Sequence, residues 1–255
     1  MNVRVAVAGA RFAFALVGLV SLVARFIWGL GSATFTAGNF FAYLTMQSNI
    51  AFMVVCVVGC IVALRSGTDP PWLTNLHALV LTWILVAGVV FAILVQQAGA
   101  RGFTLEVPWS DQVLHFWLPA FAIVEWAVST GRGRAQWRML FVTIGYPVVW
   151  GVITLVRGAV VGWYPYFFLD PDQVRDPVEF VFYSTFALST FAVVGTGVIA
   201  LTRVAPVGER FSWRTAPVSP GVLLLARRRS TARIASRRPR PRDRRAPVRR
   251  SAARG

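Results

Sequence analysis

The sequence predicts an all-α polytopic membrane protein: six transmembrane helices, both termini cytoplasmic, followed by an Arg-rich tail. Three observations predict it. Of 255 residues, 56 % are hydrophobic and only 14 % charged, whereas soluble domains carry about 25 % charged residues. Six apolar runs are long enough to cross ~30 Å of hydrocarbon, which takes about 20 helical residues. The arginines outside these runs gather on alternate connections, as the positive-inside rule expects of cytoplasmic loops.

The first run, 8–30, is interrupted by Arg11, and no convincing small-residue cleavage site precedes the second, so it reads as an uncleaved helix rather than a signal peptide. The second, 40–64, opens after the turn pair Gly38-Asn39 and contains Cys56 and Cys60. Four residues apart on one helix, these are poorly placed for a mutual disulfide and read as buried apolar filler. The third, 74–96, follows Ser66-Gly67-Thr68-Asp69-Pro70-Pro71 and begins near His77 on the cytoplasmic side. The fourth, 112–129, follows the turn-rich segment Gly99–Pro108, opens beside Asp111 and His115, and carries Glu125 about ten residues deeper. Glu125 reads as a packing partner, for instance of an Arg in the 132–138 loop. The fifth, 139–161, follows Gly131-Arg132-Gly133-Arg134 and bears Arg157 near its outer end; the sixth, 179–202, follows an aromatic loop.

Arg4, Arg11, Arg65, Arg132, Arg134, Arg138 and the tail fall on one side of such a topology. Arg25, Arg101, Arg157 and Arg175 fall on the other, with most of the loop acids. The first side is cytoplasmic, and a multi-pass protein of the plasma membrane is expected. All 26 basic residues are Arg; residues 1–202 hold ten against eight acids, a net +2, and residues 203–255 hold sixteen against two, a net +14. The tail, with Arg237-Arg238-Pro239-Arg240-Pro241-Arg242, cannot form a core and is expected to be disordered. Beside a bilayer it is expected to attract anionic lipid headgroups, at about 1 kcal/mol per Arg, and no nucleic-acid partner is expected. Its Arg, Ala, Pro and Ser also fit biased coding of GC-rich DNA. The body is nearly neutral, so its membrane partners are lipids and its few ionisable groups stand out.

Polar residues at membrane depth are costly and are functional candidates by default. Here they gather at the outer end. Thr45, Ser48 and Asn49 share one helix face, and His115 is expected at the depth of Thr45, with Asp111 four residues before it. A Thr hydroxyl beside an imidazole has the makings of a nucleophile and its base. Asp111 could orient the imidazole, and Arg157 could hold a carboxylate or an oxyanion. Each residue also has a plainer reading: Thr45 and His115 as interhelical hydrogen-bonders, Asp111 as a helix cap, Arg157 as a snorkelling side chain. Trp163, Tyr164 and Tyr166 read either as an aromatic belt or as a lid over the outer site. His77 lies across the membrane from His115 and up to two turns from the Cys pair, so no metal site is expected, nor any cofactor.

The segments Asn39-Phe40-Phe41-Ala42-Tyr43-Leu44-Thr45-Met46-Gln47-Ser48-Asn49, Leu114-His115-Phe116-Trp117-Leu118-Pro119 with Glu125-Trp126, and Arg157-Gly158 with Gly162-Trp163-Tyr164-Pro165-Tyr166 occur in this order. Together they resemble the prokaryotic six-helix membrane proteins related to the androgen-induced and androgen-dependent membrane hydrolases. The resemblance covers about residues 10–202. It implies an intramembrane hydrolase of lipid esters, such as fatty acid esters of hydroxy fatty acids, with Thr45 as nucleophile and His115 as base. Two other classes fit the same polar outer face: a small-solute transporter or lipid-binding protein without covalent chemistry, and an assembly partner in which Thr45 and His115 only bridge helices. No internal repeat or broken helix pair of the transporter kind is present.

Overall fold

The computed structural model describes residues 3–100, 102 and 106–207. The expected disorder and lipid contacts of the tail from residue 208 onward lie outside the described residues. Regular structure within them is helical, with no strand. Five helices are long and apolar enough to cross a membrane: α1 (Val3–Gly29), α3 (Leu44–Arg65), α4 (Pro71–Ala100), α7 (Met139–Val161) and α8 (Pro177–Leu201).

Two of the expected spans are interrupted. In place of one helix over 40–64, a short α2 (Ala37–Ala42) is capped by Thr36, whose hydroxyl accepts from Asn39 N–H at 3.3 Å. Tyr43 then turns extended (ψ 129°) before α3 begins. Gly38-Asn39 is therefore helical rather than a turn, and Thr45 is the second residue of α3 rather than five residues inside it. The span expected over 112–129 consists of α5 (Trp109–Gln112), a π-helical segment (Val113–Trp117) and α6 (Leu118–Val128).

The π segment has a local cause. Pro119 has no N–H to give the His115 carbonyl four residues back, and its ring crowds that carbonyl. The backbone widens, and Leu118 N–H reaches back five residues to the Val113 carbonyl. The freed His115 carbonyl then faces α4 at Gly88, where a Cβ would stand 2.3 Å from the oxygen. Only glycine lets the two helices approach so closely.

Around this contact α4 is the central helix, packing against α3, α6, α7, α8 and the π segment. Phe52, Leu81, Ile84, Leu118, Ala122 and Trp126 form the core there. By contrast α7 and α8 leave most of their apolar surface uncovered, as befits helices whose solvent is lipid. α8 starts on its N-cap Asp176, which accepts from Glu179 N–H at 2.8 Å, while the Glu179 side chain accepts from the preceding Arg175 N–H at 2.7 Å; Pro177 sits in the first turn.

Buried ion pairs fasten α1 to its neighbours at two levels. Arg11, fully buried, donates from Nη2 to Asp69 at 2.7 Å, from Nε to Glu125 at 3.1 Å and from Nη1 to the Gly59 carbonyl at 3.1 Å. Arg4 reaches the other Asp69 oxygen at 2.6 Å and the Ser66 and Thr130 carbonyls. Burial in this loop would raise the Asp69 pKa, but the Arg11 and Arg4 guanidiniums more than offset it and hold the carboxyl below its ordinary value. Fourteen residues along α1, Arg25 Nε meets Asp111 at 2.7 Å, and Asp111 is likewise fourteen residues from Glu125. Fourteen helical residues span ~21 Å. Glu125 thus takes its cation from α1, not from the 132–138 loop as the sequence suggested. Arg132 from that loop donates to the Leu201 and Val204 carbonyls at the end of α8 (3.1 and 3.2 Å), and His77 Nε2 lies 3.8 Å from Glu125.

Candidate functional site

At the end of the bundle that holds Arg25 and Asp111, a cavity of about 410 Å³ is lined by Thr45, His115, Asp111, Arg25, Tyr43 and Tyr166, among others. Thr45 and His115 therefore face one space. Thr45 owes its place to the extended Tyr43, which starts α3 at the cavity wall. Ser48 Oγ and Asn49 Nδ2 both donate to the Thr45 carbonyl at 2.9 Å, so these two residues stiffen the first turn of α3 by side chain-to-backbone bonding.

Tyr166 stands beside Thr45, and the two side chains line the cavity wall together. Thr45 N–H belongs to the first turn of α3, whose amides have no partner within the helix. Tyr166 is 7 % exposed; burial raises its pKa, and the neighbouring Thr45 offsets only part of that rise. The phenol stays neutral and can both donate and accept. Tyr166→Phe is expected to lower stability by about 1 kcal/mol. A detergent melting curve for this variant, unchanged from wild type, would show that the hydroxyl does not hold the turn.

His115 is positioned by the π segment. Its ring stacks on Phe91 with centroids 3.9 Å apart, and Nδ1 lies 2.9 Å from the Asp111 carbonyl oxygen. Donation from Nδ1–H to that carbonyl makes Nε2 the unprotonated nitrogen. Nε2 meets no hydrogen-bonding partner among the described residues. The Asp111 carboxylate lies 3.8 Å from Nδ1 and is committed to Arg25 instead. Asp111 thus orients the ring through its main chain.

Chemically, the arrangement offers a hydroxyl, an imidazole nitrogen and a charge-balanced Arg–Asp pair within one cavity. Comparisons with protein-family profiles, curated proteins and solved structures return no match. The geometry alone therefore carries the reading.

The remaining expected site residues lie beside the cavity. Arg157 donates to Asn39 at 2.6 Å and lies over the Trp163 ring at 5.5 Å; it is not among the residues lining the cavity. Trp163 packs edge-on against Tyr43 at 5.4 Å. Tyr164 covers Gly158, where any Cβ would overlap its ring. The loop then enters a single 3-10 turn, Phe167–Leu169, and Gln173, held by Asp170 at 2.6 Å, completes the cavity wall. Sequence reasoning missed Arg25, Tyr43, Phe91 and Gly88. Arg25 left a signal, an ionisable residue inside an apolar run, but its closeness to the helix end made it read as a loop charge.

Proposed function

We propose that this protein is an intramembrane hydrolase of lipid esters, opening to the outer leaflet of the plasma membrane. Thr45 attacks the acyl carbonyl, His115 Nε2 takes its proton, and an acyl-Thr45 intermediate forms as the alcohol leaves with that proton. Water activated by the same imidazole releases the acid. The observation that carries this reading is the shared cavity of Thr45 and His115, with Nδ1 of the imidazole held by a backbone carbonyl. Tyr166, beside Thr45 in the cavity wall, is the residue placed to position the nucleophile. Membrane lipids are the partners that this reading proposes.

The proposal includes six crossings with both termini cytoplasmic. Two ion pairs, Arg25–Asp111 and Arg11–Glu125, with equal residue spacings on α1 and on the α5–α6 rod, support an antiparallel sixth traverse. The arginines of the loops at the Arg4 end support a cytoplasmic face there.

A fluorophosphonate probe tests the chemistry. Wild-type protein in detergent is expected to be labelled, and Thr45→Ala and His115→Ala to lose labelling while melting as wild type does. Equal labelling of all three would remove the mechanism.

A further inference from the structure

A second cavity, of about 210 Å³, adjoins the first and is lined almost wholly by apolar groups. Thr45 and Tyr166 line both. From there the second cavity runs between α4, α7 and α8, past Val90, Leu155 and Phe180, to Trp83, Pro147 and Phe191. Val90 to Trp83 is seven residues and Phe180 to Phe191 eleven, so it descends roughly 10–16 Å along the helices, towards the middle of a ~30 Å hydrocarbon layer. The ionisable groups Arg25, Asp111 and His115 line only the first cavity. Part of the apolar space is left by Gly151, where a Cβ meets no atom within 4 Å.

We propose that the two cavities are one binding site for a single-chain, uncharged amphiphile, whose polar group lies beside Thr45 and whose one unbranched apolar chain fills the second cavity. This deepens the hydrolase reading and rests on it for the choice of an ester as polar group. Three features commit the occupant. Thr45 and Tyr166 stand between the two spaces, so a molecule seated beside Thr45 has the second cavity one side chain away. The apolar arm, half the volume of its neighbour, suits one chain better than the pair of a phospholipid. Arg25 is already neutralised by Asp111 at 2.7 Å, so the polar cavity has no spare cation for a carboxylate or phosphate head. Selection then comes from shape, because lipid tails are as apolar as the cavity wall and burial by itself favours neither.

The test uses the full chain in phosphatidylcholine vesicles with a photoreactive probe, a palmitic methyl ester bearing a diazirine near mid-chain. Cross-links are expected on the peptides holding Trp83 and Phe191. Gly151→Leu, which fills the open space, is expected to lower their yield about tenfold, the order of an overpacking penalty. Ala187→Phe on the α8 wall is a second variant should the first not fold, with the same expectation. Cross-links matching those of a diazirine phosphatidylcholine would mean bulk lipid only and would overturn the proposal. So would no cross-linking at Trp83 and Phe191, or yields untouched by both variants. Site-specific cross-linking without fluorophosphonate labelling would keep the amphiphile site and remove the hydrolase.

Discussion

Arg11→Ala is expected to destabilise the bundle by about 3–5 kcal/mol, because deleting one member of a buried ionic group leaves Glu125 without its cation and Asp69 with Arg4 alone. The loss is larger than for an ordinary ion pair for a geometric reason. One planar guanidinium serves Asp69, Glu125 and the Gly59 carbonyl from three different nitrogens, and neither carboxylate can turn to bulk water. Arg11→Lys is expected to rescue little, since an ammonium lacks the fixed fork that meets three acceptors at once. Detergent melting curves of wild type, Arg11→Ala and Arg11→Lys make the comparison. A wild-type melting temperature in Arg11→Ala would mean that the carboxylates are satisfied otherwise.

The same cluster sets an acid dependence. The folded-state pKa of Asp69 is depressed, so its contribution is present above the unfolded value of about 3.9 and is lost as pH falls below it. Wild type is expected to melt progressively lower under acid. In Arg11→Ala, where Asp69 keeps only Arg4, that dependence is expected to shrink.

Gly88→Ala is the second large effect, and it reaches the candidate site through packing alone. The added methyl would stand 2.3 Å from the His115 carbonyl oxygen, and the obstacle is backbone, which cannot rotate aside. Either α4 moves away from the π segment or the segment re-forms with His115 displaced. The expected cost is about 1–3 kcal/mol of stability, together with loss of fluorophosphonate labelling. Gly197→Ala on α8, where a Cβ meets nothing within 4 Å, is the matched control and should melt and label as wild type does. Labelling retained in Gly88→Ala would show that the π segment does not position His115.

The helical architecture was largely legible because apolar runs of membrane length announce themselves. Thr45, Asp111 and His115 were legible for the same reason, as polar residues stand out in such runs. What was not legible depended on where distant segments meet. Glu125 takes its cation from a residue 114 positions away, which no local pattern encodes. Arg157 was expected at the reacting centre, but the path of the loop after α1 brings Asn39 to it first. The breaks at Tyr43 and at 113–117 were missed because hydropathy averages over them. Pro119 did mark the second break, four residues beyond the carbonyl that it frees.

The spacing of α1 from its counter-ions along the chain also orders events during synthesis. Arg11 and Arg25 leave the ribosome before Asp69, Asp111 and Glu125. Arg11 gains Asp69 after 58 residues and Glu125 after 114, and Arg25 waits 86 residues for Asp111. At about 5–20 residues per second, α1 carries unpaired cations for seconds in an environment where each is costly. The nascent helix therefore has a built-in reason to linger at a hydrated insertion site until Glu125 arrives, so its ion pairs close before α7 and α8 are made.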